Sequence, residues 1–234
     1  MIKNNVMDQF ETYADIIDLN ECLGEDPLTF KYCQYINNSL FTQCGSGAGN
    51  GGGFQEGGSA DNVNRILTFR ECHFENNEAG VKGGRISIET VLQFTIEGCT
   101  FNNNRAEVRG AIYINPTYGS IPNEYGIITN CEFNNNEATK EHGTILCFEN
   151  SKAKEITFDG TNKITNKGEC GSTIHSQCGN LRLVDVLLDF KPSDEAAIER
   201  NIRSIQLIEG SITTLANCKF VGTGFTTSPT SGHA

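Results

Sequence analysis

The hydrophobic and polar residues of this chain follow one pattern that recurs along its length. A unit reads apolar-x-apolar-x-x-Cys-x-aromatic-x-Asn-Asn-x-Ala and is followed by Gly-(Gly or Ala)-x-Ile. The clearest unit begins at Leu67 and ends at Ala79. Equivalent cysteines are 39, 27 and 32 residues apart (33 to 72, 72 to 99 and 99 to 131). Repetition at such a period is typical of a solenoid, a propeller or a similar array.

The order of residues within a unit favours short strands joined by bends. Leu67 and Phe69 are separated by one residue, as on one face of a β-strand. The next two inward positions, Cys72 and Phe74, break that alternation by one residue, which predicts a bend. The Asn pair predicts a second bend, because Asn tolerates left-handed backbone conformations. The Gly-Gly-x-Ile segment predicts a third strand, so each unit has three strands and three bends.

These units predict an all-β fold, a right-handed parallel β-helix of the pectin-lyase-like type, with about seven coils. The right hand follows from the crossover rule for parallel strands. Successive coils lie about 4.8 Å apart, so equivalent residues stack on one another. Stacking predicts an interior aromatic column of Phe74, Phe101 and Phe133. It also predicts a ladder of amide hydrogen bonds formed by Asn77, Asn104 and Asn136. The remaining structural motif residues, at the start of the third strand, are Gly83, Gly84, Gly110, Ile112, Gly143 and Ile145.

The repeat divides the chain into three segments. Residues 28–225 form the predicted β-helix domain, and residues 226–234 form a polar tail or linker. Residues 1–27 do not fit the repeat. Two predictions remain open for them. They form either an amphipathic helix that caps the first coil or a degenerate first coil with a strand near Ile16 and Ile17.

The ten cysteines allow two interpretations. Stacked cysteines have Cα atoms close enough for disulfide bonds. The alternative is that they are small buried residues. The chain has no Cys-x-x-Cys pair, which favours buried, unpaired cysteines and argues against a zinc site.

Charge and hydropathy limit the classes of partner. The formal net charge is −11 and the pI is near 4.8, which argues against nucleic acid or an anionic membrane as the main partner. No apolar stretch approaches the roughly 18 residues of a membrane span. The residues after Met1 contain no apolar core, so no signal peptide is expected.

Candidate catalytic groups do not converge in the sequence. Asp185 and Asp189 would lie on one strand face about 13 Å apart, which is too far for a glycosidase pair. Arg105, Glu107 and Arg109 are interpreted as a surface of ion pairs. The four histidines, expected to be exposed, occupy unrelated positions: His73, His142, His175 and His233. No catalytic, cofactor-binding or metal-binding residue is therefore predicted, and a carbohydrate-active enzyme, a lyase or a glycoside hydrolase, remains the alternative function.

Two motifs of the repeat resemble those of the chlamydial-type polymorphic membrane proteins, whose hallmarks are FxxN and GGA followed by Ile, Leu or Val. The FxxN motif appears here as Phe74–Asn77, Phe101–Asn104 and Phe133–Asn136. The second motif appears in variant form as Gly83-Gly84-Arg85-Ile86, Gly110-Ala111-Ile112 and Gly143-Thr144-Ile145. The resemblance implies a non-enzymatic adhesion module of a larger surface or secreted protein. Its implied partner is a host or cell-surface protein or glycan.

Overall fold

The computed structural model describes most of the repeat region and part of segment 1–27. Strands are numbered in chain order below. The described residues are 5–8, 11–13, 17–18, 28–31, 34–36, 39–40, 54–56, 66–82, 86–88, 93–108, 110–114, 124–141, 146–148, 153–166, 172–176, 180–190, 203–207 and 212–222. Gly83, Gly84, Gly143, Ile145 and the tail 226–234 lie outside them.

The described strands form four sheets, numbered I to IV. Sheet I has the order β1 (Asn5–Asp8), β4 (Leu28–Lys31), β8 (Ile66–Arg70), β12 (Gln93–Glu97), β16 (Glu124–Thr129), β20 (Ala153–Asp159), β23 (Asn180–Val184) and β26 (Ile212–Ala216). Sheet II has the order β2 (Glu11–Tyr13), β5 (Gln34–Ile36), β9 (His73–Glu75), β13 (Thr100–Asn102), β17 (Glu132–Asn134), β21 (Asn162–Asn166), β24 (Val186–Phe190) and β27 (Lys219–Gly222).

The other two sheets are shorter. Sheet III has the order β3 (Ile17–Asp18), β7 (Phe54–Glu56), β11 (Ile86–Ile88), β15 (Ile112–Ile114), β19 (Leu146–Phe148), β22 (Ser172–Ser176) and β25 (Arg203–Leu207). Sheet IV has the order β6 (Ser39–Leu40), β10 (Glu78–Lys82), β14 (Arg105–Val108) and β18 (Glu137–Glu141).

Every described strand pair is parallel and joins equivalent strands of successive coils. This arrangement is a parallel β-helix, as the repeat predicts. Its right-handedness stays a prediction from the crossover rule.

The described strands form eight coils, close to the predicted number of about seven. Sheets I and II each contain eight described strands, because β1 and β2 precede the first template unit. Met7 is in register with Phe30, and Thr12 is in register with Tyr35. The described part of segment 1–27 is therefore a coil of strands, although its sequence lacks the Cys and the Asn pair of the template.

Sheet IV corrects the prediction of three strands per unit. It is made by the residues directly after the Asn pair, which the repeat had assigned to a bend. Ala106 and Ala138 are in register and buried. The Ala that recurs at this position of the unit therefore lies on a fourth short strand, directly after the Asn ladder.

The core is a set of stacked columns. Phe74, Phe101 and Phe133 are fully buried, with ring centroids 4.7 and 4.8 Å apart and ring planes within 9° of parallel. This is the predicted aromatic column. In a neighbouring column the ring of Phe94 lies over Gly126, where a Cβ atom would come within 2.1 Å of the ring. Glycine at 126 therefore makes room for the larger residue of the preceding coil.

Two bends connect sheets I, II and IV, and each depends on one residue in the left-handed region. At the first bend, between sheets I and II, the φ angles are positive at Glu71, Gly98, Asn130, Gly160, Asp185 and Asn217. At the second bend, between sheets II and IV, they are positive at Asn76, Asn103 and Asn135. A buried side chain directly follows the left-handed residue in every case except Gly160 and Asn217, and this accounts for the break in alternation.

Candidate functional site

The Asn ladder is present at the second bend. The Nδ2 group of Asn77 donates to Oδ1 of Asn104 at 2.8 Å, and Nδ2 of Asn104 donates to Oδ1 of Asn136 at 2.9 Å. The three residues are at most 2% exposed. Because each amide bonds the next coil, the ladder fixes the spacing and the register of three coils.

Each ladder amide also satisfies backbone groups. The Oδ1 atom of Asn104 accepts the backbone N–H of Asn77 at 3.2 Å. Its Nδ2 group donates to the backbone carbonyl of Phe74 at 3.1 Å. Buried backbone groups at a bend cannot all find partners within a sheet, so the side chain supplies them.

The cysteines at the first bend form a second ladder with the same bonding scheme. The backbone N–H of Cys72 donates to Sγ of Cys99 at 3.4 Å. The Cys99 thiol donates to the carbonyl of Glu97, two residues before it, at 3.4 Å. The Cys131 thiol donates to the carbonyl of Ile96 in the preceding coil at 3.5 Å. We call Cys72, Cys99 and Cys131 the thiol column.

An amide takes over this role in the coil after Cys131. The Oδ1 atom of Asn162 accepts the backbone N–H of Cys131 at 2.9 Å, and its Nδ2 group donates to the carbonyls of Ile128 and Asp159. Asn162 is fully buried. In these coils the position holds a short side chain that both donates and accepts, Cys or Asn, whereas the next coil has the buried Val186 in register with Asn162.

The thiols of the column form no disulfide bond and are protected from solvent. Cys72, Cys99, Cys131 and Cys218 are free cysteines, and the first three are buried. Burial raises the pKa of the Cys99 thiol well above its ordinary value, and hydrogen bonds with the thiols of Cys131 and Cys72 raise it further. The neutral thiol is thus the stable form, which suits a structural role better than a nucleophilic one.

The outer surface of sheet II carries hydrogen-bonding side chains in adjacent columns. We call the six side chains at its centre the polar face: His73, Glu75, Thr100, Asn102, Glu132 and Asn134. The imidazole of His73 contacts the hydroxyl of Thr100, and its Nε2 atom lies 3.0 Å from Glu75. Nδ2 of Asn134 donates to Oδ1 of Asn102 at 3.1 Å. Asn102 therefore lies on the outer surface, half-buried and bonded to its neighbour in the next coil.

A column of alternating charge borders the polar face on sheet IV. Arg105 lies between the in-register residues Glu78 and Glu137. Its guanidinium nitrogens are 3.9 Å from the carboxylate of Glu78 and 3.4 Å from that of Glu137. These side chains are 31 to 53% exposed, so the pairs add little stability. Arg105 thus belongs to a surface of ion pairs, as predicted; Arg109 lies outside the described residues.

The candidate carboxylate pair is placed differently from the prediction. Asp185 is the left-handed residue of the first bend, and β24 begins only at Val186. Asp189 lies within β24. The two residues are therefore separated by a bend and do not share one strand face. Among the described residues, no group of three or more His, Cys, Asp and Glu side chains is arranged to hold a metal ion.

One histidine also departs from expectation. His175 is only 4% exposed, and the in-register position two coils earlier holds the fully buried Tyr113. On sheet III, side chains next to the Ile112 and Ile174 column, which point to the opposite face, are therefore buried as well. His142 and His233 lie outside the described residues.

Sequence reasoning missed the residue types at the first bend. Glu, Gly, Asn and Asp all occupy the left-handed position there, and three of these four types are those that adopt it most readily. The signal is the residue directly before each Cys, which is Gly98, Asn130 or Asn217 in three coils. The contact between His73 and Thr100 joins unlike residues and gave no signal, whereas Asn102 and Asn134 recur at one position of the unit.

Comparison of the chain with protein-family models, with curated proteins and with solved structures gives no match. Among the described residues, no helix is long and apolar enough to cross a membrane.

Proposed function

We propose that this chain is a non-catalytic adhesion module that binds an uncharged surface glycan along the polar face. One observation carries the proposal. Hydroxyl, amide, imidazole and carboxylate groups stand next to one another in successive coils, at the coil spacing of about 4.8 Å. An extended polymer of hydroxyl-bearing units matches such a row of donors and acceptors.

The chemistry of the polar face suits a neutral ligand. Asn102 and Asn134 supply amide donors and acceptors, and Thr100 supplies a hydroxyl. The net charge of −11 disfavours polyanions, and the bordering Glu78–Arg105–Glu137 column contains both signs of charge. Single contacts of this kind are weak, so binding comes from several coils acting together.

The sequence resemblance supports the same function. The FxxN motif supplies the aromatic column and the Asn ladder, so its repetition builds a scaffold without adding reactive groups. We accordingly assign the chain to the polymorphic membrane protein repeats and place it at a cell surface or in a secreted protein, within a larger chain. This assignment is part of the proposal.

A matched pair of variants in one coil tests the site. Thr100 lies on the outer surface of sheet II and Thr95 on that of sheet I, and both side chains are half-buried. Thr100→Arg places a large cation within the polar face, whereas Thr95→Arg makes the same change on another surface. Screening the purified chain on an array of neutral and acidic glycans, followed by calorimetry on the best neutral glycan, gives the affinities. We expect Thr100→Arg to weaken binding by at least about tenfold and Thr95→Arg to leave it unchanged.

Three results contradict the proposal. Equal affinities for both variants place the ligand elsewhere. Binding to surface proteins alone replaces the glycan with a protein partner. Sustained depolymerisation of a polysaccharide supports the alternative, a carbohydrate-active enzyme. Circular dichroism of both variants confirms that loss of binding is not loss of folding.

A further inference from the structure

One residue of the polar face, His73, contacts two other members of that face. Its Nε2 atom lies 3.0 Å from Oε2 of Glu75, and its Nδ1 atom contacts Oγ1 of Thr100 in the next coil. The His73 and Glu75 side chains are 34% and 35% exposed, so solvent and a ligand can reach both. Histidine is the side chain that ordinarily changes charge between about pH 5 and 8, so the two contacts depend on pH in that range.

The two partners determine which nitrogen of the neutral imidazole carries the proton. An ionised carboxylate only accepts hydrogen bonds, so Nε2 carries the proton and donates to Glu75. The Nδ1 atom is then an acceptor, so the hydroxyl of Thr100 donates its hydrogen to the ring. In this state Thr100 offers a ligand only the lone pairs of its oxygen.

Protonation of His73 reverses the contact with Thr100. Both nitrogens of an imidazolium donate, so Nδ1 now donates to Oγ1 of Thr100 and the hydroxyl hydrogen is released from the ring. That hydrogen turns towards a ligand or towards Glu132, the exposed in-register neighbour of Thr100 in the following coil. The contact of Nε2 with Glu75 becomes an ion pair, which engages the carboxylate more strongly.

The surroundings of His73 contain no second group of this kind. The flanking strands β5 and β13 contain no Asp, Glu, Lys, Arg or His. The charged side chains of the polar face and of the adjoining first bend are Glu75, Glu132, Arg70, Glu71 and Glu97. Carboxylates and guanidinium groups ordinarily stay charged from about pH 5.5 to 8, so a change in this range reports His73.

We propose that protonation of His73 regulates the polar face, which binds its glycan near neutral pH and releases it in acid. The inference rests on the function proposed above. With neutral His73, the adjacent groups of Glu75, Thr100 and Glu132 all accept hydrogen bonds, which matches the hydroxyl donors of a neutral glycan. With protonated His73, a sugar hydroxyl that donated to Thr100 meets a hydrogen in place of an acceptor. Glu75 is then also held by the imidazolium.

NMR of the chain without ligand tests the hydrogen-bond switch by itself. The ring resonances of His73, identified by their loss in His73→Gln, are followed from about pH 5.5 to 8. Nitrogen shifts are expected to show that Nε2 is the protonated nitrogen of the neutral ring. The side-chain resonances of Thr100 are expected to follow the same titration curve. A neutral ring protonated at Nδ1, or Thr100 resonances that do not titrate with His73, overturns the switch.

Calorimetry on the best neutral glycan tests the consequence for binding. We expect the affinity to be lower at about pH 5.5 than at about pH 8 by at least about threefold, as the loss of one hydrogen bond implies. His73→Gln is expected to remove this dependence, and Thr100→Val, which keeps the branched shape without the hydroxyl, is expected to reduce it. Circular dichroism at both pH values establishes that each variant is folded.

The outcomes separate this regulation from the function on which it rests. Glycan binding that is equal at both pH values overturns the regulation and leaves the binding function in place. A pH dependence that persists in His73→Gln assigns the effect to other groups and likewise overturns it. A chain that binds no glycan at either pH contradicts the proposed function and the regulation together, even where NMR shows the switch.

Discussion

The two bends of each coil solve one structural problem with different side chains. At both bends a left-handed residue precedes a buried side chain that accepts an N–H from the preceding coil and donates to carbonyls. The first bend uses the thiols of Cys72, Cys99 and Cys131, and the second uses amides. Asn162 shows that an amide can stand in the thiol column. The first bend thus accepts a thiol, an amide or, at Val186, an apolar side chain of similar size, and the two ladders differ in bond strength.

The largest expected effect is at the centre of the amide ladder. Asn104→Ala removes the acceptor of Asn77 and the donor to Asn136 and Phe74, and it leaves several buried polar groups unpaired. We expect a loss of at least about 3 kcal/mol in the free energy of unfolding. Urea denaturation followed by circular dichroism measures it. A loss below that of the thiol variant described next would contradict the ranking of the two ladders.

The equivalent change in the thiol column is expected to cost less. Cys99→Ala removes weaker hydrogen bonds and a smaller buried group, so we expect a loss of about 1–2 kcal/mol. The same denaturation experiment compares it directly with Asn104→Ala. Equal losses would mean that packing, and not hydrogen bonding, determines the contribution of both columns.

Of the two ladders, only the thiol column is expected to make the free energy of unfolding fall at alkaline pH. The pKa of Cys99 is raised in the folded chain by burial, so the folded state holds its proton more tightly than the unfolded state. This contribution is complete below the unfolded pKa of about 8.5 and is lost as the pH rises towards the folded pKa. Denaturation at several pH values from 7 to 10 should therefore show falling stability above about pH 8.5. A slope unchanged in Cys99→Ala would assign the effect to other groups.

The smallest effect is expected on the outer surface. Asn102 accepts one hydrogen bond, from Asn134, and is half-buried. Asn102→Ala should therefore cost about 1 kcal/mol or less. It is the matched control for Asn104→Ala, two residues along the same unit. A loss as large as that of Asn104→Ala would show that burial of the ladder has no special value.

Much of this scaffold could be predicted because its repeated residues act on equivalent neighbours. Phe74, Phe101 and Phe133 recur at one offset from the Asn pair, and stacking in register follows from that recurrence. The same holds for Asn77 and Asn104. Where a residue contacts the equivalent residue of the next coil, the repeat itself predicts the contact.

The rest depends on residues that vary between coils. The left-handed position holds Glu71 in one coil and Gly98 in the next, so no single residue type marks it. The first coil lacks the template, so the sequence left a cap and a degenerate coil as alternatives, and backbone pairing with β4 and β5 distinguishes them. On the polar face, His73 contacts the unlike residue Thr100, and such a contact has no repeat signature.

A double-mutant cycle on Asn77 and Asn104 tests the central claim, that buried side chains 27 residues apart bond coil to coil. The cycle measures the free energies of unfolding of the wild-type chain, Asn77→Ala, Asn104→Ala and the double variant. Direct contact predicts non-additive losses, with a coupling energy of at least about 1 kcal/mol. Strictly additive losses would contradict the ladder and the register on which the β-helix depends.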